Sequence, residues 1–240
     1  MTASLVDQKN QPYQNKDRDI KEHEKAMLRL IETRTSQGPI DVLDVGCADG
    51  LFLEAVSNQV VCRTVHGLDN DSELVAVARE RPYRAQTSRI FLEDAGSLTR
   101  DDDVQDLQRY DVIIASGILA FFEDQDPIVR ALCRYLKDEG TLFVFNKIIS
   151  ADVDMRYWVR QSGATSWGEF RLVPSLTTLT GVMQKYLRDV TVQRFELPFD
   201  LPGTSNIHST HTVRTAAGSR LLLTNYNLVS ELAFLYGHRR

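Results

Sequence analysis

Apolar residues form two alternating kinds of segment over the first 150 positions of the chain. Short apolar-rich runs, of the length of a buried strand, occupy residues 40–45, 64–69, 89–94, 110–116 and 141–149. Segments with apolar residues three and four positions apart, the spacing of one helix face, occupy residues 19–34, 51–59, 71–81 and 126–137. Gly140 is expected to end the last of these helices. Strands that alternate with helices predict a parallel sheet with helical crossovers on both faces.

The pattern changes after Ser150. An aromatic and basic segment at 152–161 predicts a short helix, and a second helix is expected at 174–189. Strands are expected at 191–197 and near 228–236. These late strands predict an antiparallel hairpin appended to the parallel sheet. The whole pattern therefore predicts an α/β fold with a doubly wound, mostly parallel seven-stranded sheet, helices on both faces and a C-terminal antiparallel hairpin.

The loop after the first strand, VLDVGCADG at 42–50, is rich in glycine and acid. Gly46 and Gly50 allow the backbone to approach a ligand closely, and the next helix offers free N–H groups. The dinucleotide pattern G-x-G-x-x-G fits poorly, because Ala48 stands at its second glycine. Asp44 and Asp49 would also repel a pyrophosphate. The loop therefore predicts a ligand with positive charge near the turn.

Two further acids end the second and third strands. Asp69 lies 19 residues beyond Gly50, a spacing that suits an acceptor of ribose hydroxyl groups, and Asp94 is placed to accept from an exocyclic amine. A nucleoside with a cationic, amino-acid-like tail satisfies these acids and Asp44 together, and S-adenosylmethionine is such a molecule. Structural alternatives stay open: Asp44 and Asp49 as turn acid and helix cap, Asp69 as a helix cap, and Glu93 or Ser97 in place of Asp94.

Four motifs in order then resemble those of the class I S-adenosylmethionine-dependent methyltransferases, over roughly residues 20–150 and more loosely to the end. VLDVGCADG resembles the first motif, with Ala48 in place of its middle glycine, and GLDND at 67–71 resembles the second, whose acid holds the ribose. LEDAGSL at 92–98 resembles the third, which meets the adenine, and residues 110–145 resemble the fourth and fifth strands. The resemblance implies these cofactor-binding residues: Asp44, Gly46, Cys47, Ala48, Gly50, Asp69, Asn70, Asp94, Ala95, Ser116 and Gly117.

The resemblance also implies a single methyltransferase domain over residues 1–240. Within it we expect an N-terminal lid and helix at 1–35, a cofactor-binding core at 36–149, and a substrate-side segment with the C-terminal strands at 150–240. Ser116 and Gly117 are expected near the methionine part of the cofactor, although a plain loop start would use the same residues.

The candidates for a catalytic base are His208 and His211. An extended backbone would point these two side chains to opposite faces, so that only one of them faces a pocket. Histidine suits proton abstraction near neutral pH, but two solvated histidines in a polar loop would look the same. Glu123 and Asp124 are further candidates, which a helix-capping role would explain equally well. An amine acceptor would need no strong base.

The acceptor pocket is expected outside the sheet. Candidates for an N-terminal lid over the cofactor are Tyr13, Arg18 and His23. Candidates for the substrate side are Met155, Arg156, Tyr157, Trp158 and Trp167. The aromatic residues would also serve as ordinary packing. Arg156 and Arg160 would meet an acidic acceptor or lie on the surface.

Composition and charge argue against several kinds of function and site. The net charge is −5 with a pI near 5.6, which argues against binding mainly through phosphates. The loop ASGILAFF at 115–122 lacks the Asn- or Asp-Pro-Pro-aromatic run of nucleic-acid amine methyltransferases, so nucleic acid is not an expected partner. Three cysteines without a C-x-x-C pair indicate reduced thiols and no disulfide framework, and no metal site is expected. With a polar N-terminus and no apolar run of membrane-spanning length, we expect a cytoplasmic protein.

These features predict a methyltransferase that acts on an oxygen or nitrogen atom of a small molecule, such as a sugar or a natural-product intermediate, with a homodimer possible. The alternatives are an RNA or protein methyltransferase and a non-catalytic S-adenosylmethionine-binding protein.

Overall fold

The computed structural model describes residues 18–35, 38–100, 104, 106–158, 170–203, 210–224 and 228–240. Its helices are α1 (Glu22–Arg34), α2 (Leu51–Gln59), α3 (Ser72–Arg79), α4 (Asp126–Arg134) and α5 (Leu176–Tyr186), with 3-10 turns η1 (Ala95–Thr99) and η2 (Ile118–Phe121). Its strands are β1 (Ile40–Val45), β2 (Cys62–Asp69), β3 (Ala85–Leu92), β4 (Tyr110–Ser116), β5 (Leu136–Ile148), β6 (Met155–Trp158), β7 (Phe170–Val173), β8 (Leu187–Phe195), β9 (Thr210–Arg214), β10 (Arg220–Thr224) and β11 (Val229–Arg239).

The main sheet has the order β3-β2-β1-β4-β5-β11-β10-β9, and β8 also pairs with β11. Strands β1 to β5 are parallel, whereas β11 runs antiparallel to β5 and to β8. The predicted α/β class with a mostly parallel sheet and antiparallel C-terminal strands is therefore confirmed. Among the described residues the sheet has nine strands rather than seven, because the sequence did not predict the β9–β10 hairpin: β9 lies in a polar stretch, and the apolar run of β10 was not predicted as a strand of its own.

Side chains alternate between two hydrophobic cores, one on each face of the sheet. Val42 and Ile114 share one core with Met27 of α1. Leu43 and Ile113, their neighbours in sequence, lie in the other core with α4 and α5. Successive strand residues point to opposite faces, so this division places helices on both faces, as the doubly wound prediction requires.

Two local predictions are wrong. The helix predicted at 126–137 ends at Arg134, and Gly140 lies inside β5 instead of ending a helix. A Cβ atom at Gly140 would lie 2.8 Å from the carbonyl oxygen of Tyr110, so close packing of β4 on β5 explains this glycine.

The second error is the helix predicted at 152–161. Residues Met155–Trp158 form β6, which pairs with β7 as a separate two-stranded sheet. The partner strand begins at Phe170, too far along the chain for a local pattern to reveal the pairing. In the part of the chain that the structure describes, no helix is long and apolar enough to cross a membrane.

Candidate cofactor and active site

The turn after β1 adopts a backbone that favours glycine. The φ angles are 81° at Gly46, 49° at Ala48 and 73° at Gly50. A Cβ atom at Gly46 would lie 3.3 Å from the Cδ1 atom of Ile118 in η2, and one at Gly50 would overlap the Tyr83 hydroxyl. Positive φ angles favour glycine at both positions, and close packing adds to this at Gly50. Ala48 carries a strain of roughly 1 kcal/mol that a glycine would avoid.

Cys47 contributes to this turn through its backbone and its packing. Its N–H and that of Gly46 donate to the Leu68 carbonyl oxygen at 3.1 and 2.7 Å. Its buried thiol lies against β2, where a Cβ atom at Gly67 would come 2.8 Å from the sulfur. Burial raises the pKa of the thiol, so the side chain fills space as a neutral group.

Asp69 at the end of β2 ties the turn to the second strand. Its carboxylate accepts hydrogen bonds from the N–H of Ala48 and the N–H of Asp71, each at 2.9 Å. The cap of α3 is Asp71, which accepts from Glu73 and Leu74. Asp69 is thus not a helix cap. Each of its two oxygens keeps a lone pair for a further donor, as an acceptor of ribose hydroxyl groups needs.

Asn70 and Asp94 meet at the ends of β2 and β3. The Asp94 carboxylate accepts from the Asn70 amide at 3.0 Å and from the Gly96 N–H at 2.7 Å. Asp94 thereby caps the short turn η1, whose first residue is the buried Ala95. The capping role leaves acceptor capacity on the carboxylate, so both roles are compatible.

Asp44 is a buried acid of the site, with 3% of its surface exposed. Among the described residues its carboxyl group has no hydrogen-bond or ion-pair partner. Burial, with smaller contributions from the charges of Glu24 and Asp69, raises the pKa of Asp44 to about 8. A buried carboxyl group with acidic neighbours and no partner fits a cationic ligand group.

Asp49, by contrast, is neutralised within the protein. Its carboxylate accepts hydrogen bonds from Arg18 at 2.9 Å and from Arg81 at 3.0 Å. Its bond to the first helical N–H, that of Leu51, is long at 3.4 Å. Asp49 therefore anchors the segment that precedes α1, and Asp44 is the acid at the turn that these arginines leave unpaired.

The start of α1 lies over the ends of β1 and β5. Arg18 contacts the glycine turn through Asp49, and the His23 ring stacks on Phe145 with centroids 4.2 Å apart and planes 4° apart. Burial, together with the charges of Lys21 and Arg18, lowers the pKa of His23 to about 3. His23 is therefore neutral at physiological pH. Tyr13, the third candidate for the lid, lies outside the described residues.

Ser116 and Gly117 complete the convergence of strand ends. Ser116 ends β4 opposite Phe145 in the register, and the Gly117 N–H donates to the Phe145 carbonyl oxygen at 2.8 Å. Since Ile118 lies against the turn at Gly46, the ends of β1, β4 and β5 meet here. The cofactor-binding residues implied by the motifs thus fall along one edge of the sheet, with an unpaired buried acid among them.

Comparisons with known proteins agree with this arrangement. A family model described as a methyltransferase domain matches residues 43–142. The ubiquinone biosynthesis O-methyltransferase of Coxiella burnetii is 26% identical over 163 residues, which cover 59% of this chain and 67% of the relative. N-methyltransferase NodS from Bradyrhizobium japonicum WM9, solved with S-adenosyl-L-homocysteine, has a TM-score of 0.55 at 15% identity over 91% of this chain and 86% of NodS.

This chain is therefore similar to a methyltransferase domain in sequence over residues 43–142, and it shares the fold of S-adenosylmethionine-dependent methyltransferases. A further structural match is the N-terminal domain of EvdMO1, solved with SAH and D-fucose. It has a TM-score of 0.58 at 12% identity over 92% of this chain and 85% of that chain. At such identities the solved structures show the shared fold. NodS and the EvdMO1 domain were both solved with S-adenosylhomocysteine, and in this chain the unpaired carboxyl group of Asp44 suits a ligand with a cationic group.

Neither histidine candidate for the catalytic base is brought to this site by the described residues. His208 lies outside the described residues, and His211 lies on β9, five strand positions from β1 in the sheet order. His211 pairs with Leu223, which alternation places on the face opposite Leu222 and the core of α1. Its Nδ1 atom is buried and has no hydrogen-bond partner. Its catalytic role stays a prediction.

The other candidates are two acids for the catalytic base and a group of residues for the substrate side. Asp124 accepts from the N–H of Asp126 at the start of α4, which is a capping role. Glu123 lies 4.0 Å from Arg156 of β6, so the two charges partner each other. The described candidates for the substrate side all lie on β6, whose partner β7 contacts η2 through Arg171 and Phe121. Arg160 and Trp167 lie outside the described residues.

Sequence reasoning missed two residues at the end of β5, Phe145 and Lys147. Phe145 carries the stacked His23, and Lys147 lies two residues further along the strand. Burial, with a smaller contribution from Arg171, lowers the pKa of Lys147. The available signal was a lysine inside the apolar run TLFVFNKII at 141–149. In the described part of the chain no group of three or more metal-binding side chains comes together.

Proposed function

We propose that this protein is an S-adenosylmethionine-dependent methyltransferase that transfers a methyl group to an oxygen or nitrogen atom of a small molecule. The observation that carries the proposal is that small elements lie at the carboxyl ends of β1, β4 and β5: the start of α1 through His23 on Phe145, the turn η2, and the β6–β7 hairpin through Arg171 on Phe121. Elements of this size suit a compact acceptor better than a polymer. Architecture alone does not fix the substrate.

The names of the matched proteins also support a small-molecule acceptor. By their names, the Coxiella burnetii relative is an O-methyltransferase of ubiquinone biosynthesis and NodS is an N-methyltransferase. The EvdMO1 domain was solved with a sugar, D-fucose. These names favour a sugar or a biosynthetic intermediate as acceptor. They do not identify the acceptor of this chain.

We further propose roles for the cofactor-binding residues. Asp44 accepts the cationic tail of the cofactor, Asp69 accepts from the ribose hydroxyl groups, and Asp94 with the adjoining N–H groups meets the adenine. When bound, the cofactor supplies a methyl group on a positively charged sulfur. The chain then has to orient the acceptor in line, exclude water and remove one proton.

Water exclusion falls to the segment that closes over the strand ends. Arg18 fixes this segment to the turn through Asp49, and His23 covers Phe145. Methyl transfer from a sulfonium removes the positive charge on the sulfur. A water-poor pocket favours a reaction in which charge is lost in this way.

Three histidines are candidates for the base when the acceptor is a hydroxyl group. His208 and His211 are the sequence candidates, and His23 is the described histidine that lies at the end of β5. The low pKa of His23 makes it a weak acceptor of protons, so it is less suited to this role than a histidine with an ordinary pKa.

The test is a transfer assay with S-adenosylmethionine labelled on the methyl group. We expect label in small hydroxyl or amine compounds from a panel of sugars, phenols and amines, and none in RNA or protein added in parallel. Label in RNA or protein alone would contradict the proposal. Cofactor binding without transfer to any fraction would instead support the non-catalytic alternative.

A further inference from the structure

Strand β3 forms one edge of the main sheet. It pairs with β2 and, in the part of the chain that the structure describes, with no other strand. The Glu93 N–H donates to the Asp69 carbonyl oxygen of β2 at 2.9 Å. Because the backbone groups of successive residues point to opposite sides of a strand, those of Ile90 and Leu92 point to the open side. This edge therefore presents backbone donors and acceptors to a further strand.

A groove of about 260 Å³ follows the open edge. Its lining consists of residues 89–93 together with Arg79 of α3 and Val104. Leu92 is 49% exposed there, which is unusual for a large apolar side chain on a strand. Arg79 donates to the Ile90 carbonyl oxygen at 3.1 Å. A carbonyl oxygen has a second lone pair, so this bond leaves the edge able to pair.

The two ends of the groove carry charges of opposite sign, Arg89 and Glu93. The Glu93 side chain makes no hydrogen bond or ion pair with any described residue. Arg89 pairs with Asp106 at 2.7 Å, and both of these side chains are exposed. Because a guanidinium group has five N–H donors, Arg89 can bind a second carboxylate beside Asp106. The groove thus offers an acid without a partner and an arginine with donors to spare.

The segment RIFLE at 89–93 is complementary to itself when two copies run antiparallel. Its residues are a cation, an aliphatic, an aromatic, an aliphatic and an acid, in that order. A two-fold axis at Phe91 therefore places Arg89 opposite Glu93 of the second copy. The same axis makes Ile90 and Leu92 of the second copy the hydrogen-bonded pair, as the direction of their backbone groups requires. Arg89 and Glu93 then form the closer kind of pair, with Cβ atoms about 5 Å apart.

We propose that β3 pairs antiparallel with β3 of a second copy of this chain, about a two-fold axis at Phe91, so that one sheet continues through a homodimer. The same surface of both copies forms this interface. An axis at Ile90 would keep the backbone pairing, but it would place Thr87 opposite Glu93 and lose both ion pairs. Charge complementarity therefore selects the occupant of the groove and its register. The inference does not depend on the proposed function.

The test measures the oligomeric state by sedimentation velocity at protein concentrations from about 0.1 to 100 μM, where interfaces of ordinary size dissociate. Wild type is compared with Arg89→Glu, Glu93→Arg, the double reversal of both, and Leu92→Lys. The matched control is Val229→Lys on β11, which places the same charge at a residue of similar exposure, 45% against 49%. Hydrogen exchange of the Ile90 and Leu92 amides is followed at the lowest and highest concentrations.

We expect wild type to sediment as a dimer at the highest concentration, and the Ile90 and Leu92 amides to exchange more slowly there. Each single charge reversal places like charges opposite each other twice across the axis, so it should weaken dimerisation about tenfold or more. The double reversal restores both pairs and should return the affinity to within about threefold of wild type. Leu92→Lys should weaken the dimer, whereas Val229→Lys should not.

Three results would overturn the inference. A wild-type protein that stays monomeric at every concentration would leave the groove to a different partner. A dimer that both single reversals leave intact would place the interface on another surface. A double reversal that dimerises no better than the single ones would rule out the register at Phe91. Far-ultraviolet circular dichroism of each variant separates loss of the dimer from loss of the fold.

Discussion

At the scale of single residues, the cofactor site depends on how acids at the strand ends are partnered. Asp49 is paired with two arginines, Asp69 and Asp94 are partly satisfied by backbone and amide groups, and Asp44 is unpaired. The acid with no partner is buried, with 3% of its surface exposed. The charge that a ligand must bring is therefore set by one residue, Asp44.

Replacing Asp69 by alanine should abolish measurable cofactor affinity, because the ribose hydroxyl groups lose their acceptor and the turn loses its tie to β2. The matched control is Asp71→Ala, which removes the cap of α3 and lowers the free energy of unfolding by about 1 kcal/mol. This variant leaves the ribose acceptor in place. Calorimetry should show near-normal affinity in the control. Near-wild-type affinity in Asp69→Ala would sink this placement of the ribose.

Cofactor binding should release a proton below about pH 8. The pKa of Asp44 is raised to about 8, so its carboxyl group is protonated in the free protein at neutral pH and must ionise when a cation binds. Affinity should rise with pH up to about 8 and then level off. At about pH 6.5, calorimetry in two buffers of different ionisation enthalpy should give different apparent enthalpies, and Asp44→Asn should remove the difference. Equal enthalpies for wild type would contradict this role.

The raised pKa of Asp44 also makes the stability of the free protein depend on pH, in the direction opposite to that of cofactor affinity. The folded pKa of Asp44 lies above the unfolded value of about 3.9. The folded state therefore binds more protons between about pH 4 and pH 8, and the free protein should lose stability as the pH rises through this window. Thermal unfolding of wild type and Asp44→Asn across this range measures the difference. A wild-type profile that matches that of the variant would contradict the assignment.

The base is tested by comparing three histidine variants once an acceptor is known. If His208 or His211 is the base, its replacement by alanine should lower turnover about 10²-fold or more with cofactor affinity unchanged. The same loss in His23→Ala alone would place the base at the end of β5. Full activity in all three variants would mean that no histidine serves as base, as expected of an amine acceptor.

At the scale of elements, the two ends of the parallel strands have different tasks. The carboxyl ends carry the site, while the amino ends are joined by charges. Asp41 of β1 binds Arg63 of β2 at 2.8 and 2.9 Å, and Lys137 of β5 bridges Asp41 and Asp111 of β4. This cluster links four strands at the edge opposite the site, so its loss should affect stability and not chemistry.

Replacing Asp41 by alanine should destabilise the fold by about 2 kcal/mol, because it removes the buried acid that binds both cations and leaves Arg63 and Lys137 with Asp111 alone. Burial pushes the pKa of Asp41 up, but hydrogen bonds from Arg63 and Lys137 outweigh it and hold the pKa at about 2. The contribution should be present above about pH 4 and fade as the pH falls toward 2. Denaturant unfolding measures the loss, and calorimetry should show unchanged cofactor affinity. A change confined to cofactor affinity would contradict the structural role.

At the scale of the whole molecule, the sequence predicted those features that depend on residues close together in the chain. The parallel core followed from alternating strands and helices, and the acids Asp44, Asp69 and Asp94 could be placed because each ends a predicted strand. The partners of Asp49 could not, since Arg18 and Arg81 lie 31 and 32 residues away. The β6–β7 pairing was equally hidden, and with it the approach of Arg171 to Lys147.

The central claim is that the turn at 46–50 and the acids around it bind S-adenosylmethionine. Calorimetry of the purified protein against S-adenosylmethionine, S-adenosylhomocysteine and NAD, side by side, tests it most directly. We predict micromolar binding of the two adenosyl compounds and none of NAD. Binding of NAD alone would contradict the account, because it would place a pyrophosphate beside the buried carboxyl group of Asp44.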